Sequence, residues 1–176
     1  LYPGMPFNQQ MSFPLELSLR TTREGIRLFR KPVQELATLH TREHSWRDHM
    51  LASGNDRLAV FYRFGPTFQE KLPQAVANIV VDTEWDLFDI RADIEFVDAT
   101  SFGSIIHGNH LRYEVAERKF TYLDQEIPAE PDKSGRLSFQ LLVDRTSLEL
   151  FVDGGRASAS FCFLPAPHDV PLEFYA

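Results

Sequence analysis

The sequence predicts an all-β domain built as a two-layer antiparallel β-sandwich. Three observations point to this fold class. Apolar and polar residues alternate over short segments, which is the period of a strand with one face in water. Turn residues separate these segments at short intervals, a spacing typical of sandwiches. Fifteen Phe and five Tyr among 176 residues also favour strands over helices.

The first predicted element is a β-hairpin. In residues 13–19 three leucines alternate with polar residues, which is the pattern of a strand. A turn at residues 21–25 follows, and residues 25–33 form a second strand that can pair with the first. Residues 33–51 are predicted to be a short helix or irregular chain. Residues 57–81 combine a strand-like piece with a loop interrupted by proline.

The clearest strands lie in the second half of the chain. In residues 87–96 four apolar side chains alternate with four charged ones, which predicts one face toward the core and one toward water. Residues 127–135 contain two prolines, a glycine and several charges, and are predicted to be a loop. The remaining predicted strands are residues 101–108, 110–116, 118–124, 136–144, 147–155 and 156–164.

Composition argues against several classes of partner. A net charge of −7 without a basic stripe makes nucleic acid an unexpected ligand. No apolar run approaches the roughly 18 residues of a membrane helix, so no membrane association is expected. The single cysteine, Cys162, cannot form an internal disulfide. Because it lies in an apolar, strand-like run, it is predicted to be a buried and inert thiol.

Two histidine pairs are candidate metal ligands. Residues 40–44 fit the H-x-x-E-H metalloprotease pattern, which needs both histidines on one face of a helix. That helix would be short and polar, and no third ligand is apparent, so a solvated segment is the favoured interpretation. His107 and His110 flank a Gly-Asn turn and could bind a metal weakly, but polar residues at a hairpin end explain them better. We expect no metal and no cofactor.

Carboxylates and aromatic rings raise the question of sugar chemistry. Glycosidases need two carboxyl groups facing each other across about 5 to 10 Å. Asp89, Asp93 and Glu95 meet that spacing, but a wet sheet face fully explains their alternation with apolar residues. Aromatic rings can also stack on sugar rings, although most aromatics of a sandwich belong to its core. The aromatic candidates are Trp46, Trp85, Tyr113 and Tyr122.

Two stretches of the sequence carry a family resemblance. The first consists of MSFPLELSL at residues 11–19 with PVQEL at residues 32–36, and the second is LVDRTSLELFVDGG at residues 142–155. Together, in this order, they resemble the C-terminal β-sandwich of glycoside hydrolase family 32, which includes levanases, inulinases and invertases. The resemblance covers about residues 5–175 and implies a concanavalin-like jelly roll.

The resemblance implies a domain without catalytic residues. The family hydrolyses fructosides with three carboxyl groups on a separate β-propeller, in W-x-N-D-P, R-D-P and E-C motifs, and none of these motifs occurs here. Residues 1–12 would then be the end of the propeller or a linker. Residues 13–176 would be the sandwich, without the family's usual last strand. Asp144 and Arg145 would be turn-forming groups.

Three functional hypotheses follow. In the first, the chain braces a catalytic propeller that the sequence itself lacks, and the sheet edge left by the missing strand favours self-association. In the second, it is a fructan (levan)-binding module. In the third, it is an independent catalyst acting through His40 and His44 or through paired carboxylates. The compartment stays open, with a secreted or periplasmic location favoured. The candidate carbohydrate contacts are Trp85, Arg91, Tyr113 and Glu149.

Overall fold

The computed structural model describes residues 11–43, 45, 87–96, 99–164 and 172–175. Within these ranges the chain forms strands and two short 3₁₀ helices, Gln34–Leu39 and Asp153–Gly155. No helix among them is long and apolar enough to cross a bilayer. The strands are β1 (Leu15–Thr22), β2 (Gly25–Pro32), β3 (Phe88–Glu95), β4 (Ser101–Ile106), β5 (Asn109–Glu114), β6 (Lys119–Tyr122), β7 (Gln125–Pro128), β8 (Arg136–Asp144), β9 (Ser147–Val152), β10 (Ala157–Cys162) and β11 (Leu172–Tyr175).

Most of the strands belong to two antiparallel sheets. A four-stranded sheet has the order β10-β9-β8-β3, and a five-stranded sheet has the order β11-β4-β5-β6-β7. Tight turns set the register of the second sheet. His107 and Gly108, between β4 and β5, both have positive φ, and so do Leu123 and Asp124, between β6 and β7. Two consecutive residues with positive φ match the twist of a two-residue hairpin loop.

The core lies between these two sheets. The Phe139 ring on β8 lies 5.7 Å from Phe102 and 5.4 Å from Phe120, both on the facing sheet. Tyr122 contacts Phe161 edge-on, with ring centroids 4.9 Å apart. Burying each such side chain contributes about 1.5–3 kcal/mol, so the aromatic contacts hold the layers together. The predicted all-β sandwich is therefore confirmed. From the four-stranded sheet the core takes Ile90, Ala92, Ile94, Leu137, Phe139, Leu141, Val143, Leu148, Leu150, Val152 and Phe161.

Strands β1 and β2 form a separate two-stranded hairpin, as predicted. The alternation of leucines in this hairpin does not mark its buried side. Leu17 and Leu19 are 62% and 74% exposed, whereas Phe29, on the opposite face, is buried. The guanidinium of Arg20 lies 4.5 Å from the centre of the Phe29 ring on that face. The hairpin therefore turns its aromatic and charged face toward the sandwich and its leucines outward.

Gly155 fixes the place where the hairpin meets the sandwich. Its φ is +92°, and a Cβ atom built on it would lie 1.9 Å from the Arg30 carbonyl oxygen of β2. Only glycine tolerates both the positive φ and this close approach of another backbone. The Asp-Gly-Gly sequence at the end of β9 is therefore the contact surface for the hairpin.

Two expectations about local structure are revised. Cys162 is exposed, not buried, because it lies on the outer face of the edge strand β10. Its neighbours Phe161 and Phe163 take the inward positions and are buried. The start of the ambiguous segment 33–51 is a 3₁₀ helix without buried residues. Of the H-x-x-E-H pattern, His44 lies outside the described residues.

Candidate functional site

The outer face of the four-stranded sheet gathers polar side chains from neighbouring strands. In the β3–β8 register, Arg91 lies opposite Gln140 and Asp93 lies opposite Ser138. The intervening residues of both strands point into the core, so these polar residues share the outer surface. Ser138 Oγ donates a hydrogen bond to Asp93 Oδ1. The sequence therefore builds one polar surface from two strands that are far apart along the chain.

Asp89 is the hub of this surface. Its carboxylate accepts hydrogen bonds from Arg91 Nη2 at 3.0 Å and from Gln140 Nε2 at 2.7 Å. His40 Nε2 lies 3.0 Å from Asp89 Oδ2. The Asp89 side chain is 8% exposed, so these neighbours compensate a charge that has lost most of its water. Since His40 directly follows the first 3₁₀ helix, Asp89 also holds that helix on the sheet.

A shallow trough lies beside this hub, between the sheet and the hairpin. It has a volume of about 250 Å³. Lys31 of β2 lines it together with Gly154 and Gly155, which follow β9. The floor contains polar groups from β3 and β8 and the buried side chain of Phe151. The polar floor residues are Arg91, Asp93, Ser138 and Gln140.

Glu149 lies on the same outer face but beneath a cover. It is 2% exposed, because the segment before β1 crosses over it. Its Oε1 accepts a 2.8 Å hydrogen bond from the Phe13 backbone N–H, while Oε2 has no hydrogen-bond partner among the described residues. Burial raises the pKa of this carboxyl, and the Phe13 hydrogen bond opposes that shift. Glu149 is thus a buried anchor for the incoming chain.

The structure places the four predicted sugar contacts in different surroundings. Arg91 lies in the trough, whereas Glu149 is buried under residue 13. Tyr113 belongs to the other sheet and is fully buried, with its hydroxyl donating to the Ala129 carbonyl at 2.9 Å. A buried ring has no face to offer a sugar, because stacking needs an open surface. Trp85 lies outside the described residues.

Sequence reasoning did not single out Gln140, Ser138 or Lys31. The signal for the first two was present, because they alternate with core residues on β8 as the β3 charges do on their strand. Only the pairing of β3 with β8 shows that they share a surface with Arg91. Lys31 reaches the trough through the docking of the hairpin, which no local pattern encodes.

The described residues offer no metal centre. They contain no group of three or more His, Cys, Asp or Glu side chains arranged to hold an ion. His107 is buried against the ring of Phe163, with centroids 5.6 Å apart. Its backbone carbonyl accepts a hydrogen bond from Asn109 Nδ2, which supports its interpretation as a hairpin-end residue.

Comparison with known proteins decides the family. The model of the family described as "Glycosyl hydrolases family 32 C terminal" matches residues 51–176. The chain belongs to this family. The resemblance inferred from the two sequence stretches is thereby confirmed. On the outer sheet face of this family 32 C-terminal domain, the Asp89 and Glu149 carboxylates contact groups on segments far away along the chain.

The curated relatives are longer than this chain. It is 26% identical over 199 residues to a levanase of Bacillus sp. (strain L7), covering 99% of this chain and 19% of that protein. It is 26% identical over 187 residues to a levanase of Bacillus subtilis (strain 168), covering 99% of this chain and 26% of that protein. The chain therefore spans about a fifth to a quarter of the length of these relatives.

Solved structures share the fold. Exo-inulinase from Aspergillus awamori superposes with a TM-score of 0.71 at 14% identity, covering 99% of this chain and 34% of that one. The fructofuranosidase from Schwanniomyces occidentalis has a TM-score of 0.50 at 13% identity, covering 93% of this chain and 36% of that one. At these identities the comparison supports the sandwich architecture alone.

Proposed function

We propose that this chain is the non-catalytic C-terminal sandwich of a levanase-like enzyme and that it braces the catalytic propeller. The observation that supports this role most directly is the use of the outer-face carboxylates. Asp89 holds His40, and Glu149 holds the backbone of Phe13, so both carboxylates fasten chain segments to the sheet. Groups engaged in this way stabilise an architecture and are poorly placed to act as acid and nucleophile.

Two measurements test the bracing role. Incubated with sucrose, inulin or levan, the purified chain should release no fructose. Mixed with the catalytic domain of a family 32 levanase, it should raise the melting temperature of that domain, because a ligand that binds only the folded state stabilises it. Fructose release by the chain alone would contradict the non-catalytic assignment. A mixture that melts as two independent components would contradict bracing.

A second candidate function is fructan binding in the trough. The trough offers Arg91, Lys31 and Gln140 as donors and the Asp93 carboxylate as an acceptor, which suits the hydroxyl groups of a sugar. A volume of about 250 Å³ is near the lower end of ligand pockets, so one fructosyl unit is the expected occupant. Arg91 already contacts Asp89, so the guanidinium is held in place before any ligand binds.

Calorimetry with levan oligosaccharides tests this second function. Arg91→Ala and Gln140→Ala should each weaken binding about tenfold, since each removes a polar contact from the trough. Arg112→Ala is the matched control, because Arg112 lies on the other sheet and pairs with Glu114. If the chain without substitutions gives no heat of binding with millimolar levan oligosaccharides, fructan binding is excluded.

We also propose that the chain self-associates. Its support is that both main sheets end in strands that are unpaired on one side within the described part of the chain, among them β10 and β11. Unpaired backbone groups on such edges are templates for pairing with another chain. Light scattering over a concentration series tests this role, and a strictly monomeric species throughout would contradict it.

A further inference from the structure

Glu149 is buried among apolar side chains on the outer face of the four-stranded sheet. Leu142 of β8 and Phe151 of β9 are buried on this face, yet neither belongs to the core between the two sheets. Glu149 shares the face with them, because it alternates with the core residues Leu148 and Leu150. A carboxyl group therefore lies beside hydrocarbon outside the main core, where an ionised group is costly.

Residues 11–14 enter the domain across this carboxyl group. Phe13 precedes a proline, which restricts it to extended backbone, and Pro14 has no N–H of its own. The Phe13 N–H is therefore the last backbone donor before β1, and it donates to Glu149 Oε1 at 2.8 Å. The Pro14 carbonyl accepts a second hydrogen bond, from the Val33 N–H at 3.2 Å. Of these two hydrogen bonds, only the one to Glu149 involves a group that titrates.

The Glu149 carboxyl group is only half satisfied in this position. Its Oε2 has no hydrogen-bond partner among the described residues. Leu142 and Ser160 lie directly opposite Glu149 on the two neighbouring strands, and neither side chain carries a charge. A buried carboxylate needs cations or several donors around it, whereas a neutral carboxyl group is much cheaper to bury. The covering segment therefore favours the protonated form of Glu149.

Charged groups on the elements packed around Glu149 are engaged elsewhere. Lys31 pairs with Glu16 at 3.1 Å, and Arg27 pairs with Glu24 at 3.6 Å. Residues 11–14 carry no charge, and the one titratable group of β10 is the exposed thiol of Cys162. Burial is accordingly the largest influence on the pKa of Glu149, and it raises that pKa. The charged groups on the inner face of the hairpin and the outer face of β8 are Glu16, Arg20, Arg27, Lys31 and Asp144.

We propose that Glu149 is a proton-dependent latch for residues 11–14, in which the protonated carboxyl group holds the segment on the sheet and ionisation favours its release. When the segment leaves, the carboxyl group reaches water and passes its proton to it. Linkage then makes the closed state weaker as pH rises. The contribution of the latch is complete below the ordinary pKa of a glutamate, about 4.3, and is lost as pH rises through the folded value.

Hydrogen exchange of the Phe13 amide, followed by NMR, measures the latch. The protection factor already corrects for the pH dependence of exchange from an unstructured chain, and it should fall as pH rises above the ordinary pKa of a glutamate. Urea below the unfolding transition should hardly change it, because opening a short segment exposes little surface. If urea lowers the protection of Phe13 as steeply as that of Leu150 in β9, the segment leaves only when the domain unfolds and the latch is overturned.

Glu149→Gln separates the proton from the hydrogen bond. Glutamine keeps an acceptor oxygen for the Phe13 N–H and cannot ionise, so the protection factor of Phe13 should be the same at every pH. Glu95→Gln, which removes an exposed carboxylate of β3, is the matched control and should keep the pH dependence. A Glu149→Gln variant that also keeps it would overturn the latch, because another group would then be responsible.

The carboxyl ¹³C shift of Glu149 gives a readout that needs no substitution. The loss of Phe13 protection should level off at the pH where this carboxyl group titrates in the folded chain, since closed and open states then bind protons equally. Protection that is constant with pH, or that keeps falling beyond this titration, would overturn the latch. Neither result bears on fructose release or on binding in the trough, so the latch can fail separately from the proposed functions.

Discussion

The Glu149 carboxylate accepts a 2.8 Å hydrogen bond from the backbone N–H of Phe13, a residue 136 positions earlier in the chain. Both groups are removed from most of the solvent, and Glu149 is 2% exposed. The contact joins the middle of β9 to the segment that leads into the hairpin. A buried carboxylate with one unpartnered oxygen among the described atoms makes this link sensitive to pH.

Glu149→Gln should change the pH dependence of stability. Burial raises the folded-state pKa of Glu149, so its stabilising contribution is fully present below the ordinary pKa of a glutamate and is lost as pH rises through the folded value. The Gln variant keeps an acceptor oxygen and cannot ionise. As pH rises above the ordinary pKa of a glutamate, its free energy of unfolding should therefore increase relative to that of the unchanged chain.

Denaturant unfolding at several pH values measures this effect. Glu149→Ala is the informative companion, because it removes the acceptor, leaves the Phe13 N–H unsatisfied and should destabilise by about 1–3 kcal/mol. Glu95→Gln, at an exposed position of β3, is the control for removing a surface charge. If the difference in free energy of unfolding between Glu149→Gln and the unchanged chain is the same at every pH, the raised pKa of Glu149 is contradicted.

Gly155→Ala should destabilise the domain by about 2–4 kcal/mol, because the new Cβ must displace the β2 backbone and adopt a strained φ. Gly154→Ala is a close control: its φ is also positive, but nothing lies within 4 Å of the added Cβ. That variant should lose about 1 kcal/mol. If thermal unfolding shows that the two variants lose the same stability, β2 does not pack against Gly155.

Asp89→Ala should destabilise by about 2–3 kcal/mol, because it leaves the Gln140 amide and the Arg91 guanidinium without their shared acceptor. It should also release the segment around His40, which hydrogen exchange of residues 34–40 would show as faster exchange. Glu95→Ala removes an exposed carboxylate 3.9 Å from Arg136 and should change stability little. Unchanged hydrogen exchange of residues 34–40 in the Asp89→Ala variant would show that Asp89 does not hold this segment on the sheet.

Tyr113→Phe should lower the stability of the domain at neutral pH and should make that stability less sensitive to alkaline pH. Burial raises the pKa of Tyr113 to about 12, with Glu130 reinforcing and Arg118 opposing the shift. Its stabilising contribution is therefore complete below about pH 10 and is lost as pH rises through the folded value. The Phe variant loses the hydrogen bond to Ala129, at a cost of about 1 kcal/mol, but has no phenol to ionise.

Tyr122→Phe is the matched control for that substitution. Tyr122 is equally buried, yet its hydroxyl has no hydrogen-bond partner among the described residues. Removing this hydroxyl should cost nothing at neutral pH, whereas Tyr113→Phe should cost stability. Unfolding curves at about pH 7 and about pH 11 compare the two variants. Equal neutral-pH losses would contradict the role assigned to the Tyr113 hydroxyl.

Alternation within a single strand predicted the buried residues of β3 correctly. The alternation in β3 placed Ile90, Ala92 and Ile94 in the core, and all three are buried. The prediction that Cys162 is buried rested on its apolar run and was wrong, because its neighbours Phe161 and Phe163 point inward while it points outward. A strand that looks uniformly apolar still has two faces, and the sequence of an edge strand does not say which face is covered.

The sequence by itself determined the all-β class, the hairpin and the resemblance to its family, because alternation, turn residues and short motifs are local and need no knowledge of distant chain. Only the tertiary structure decided that Asp89 gathers His40 and Gln140, and that Glu149 lies buried under Phe13. Burial and the pKa depend on which segments pack over a residue. Those segments come from positions far away along the chain, so no local pattern records them.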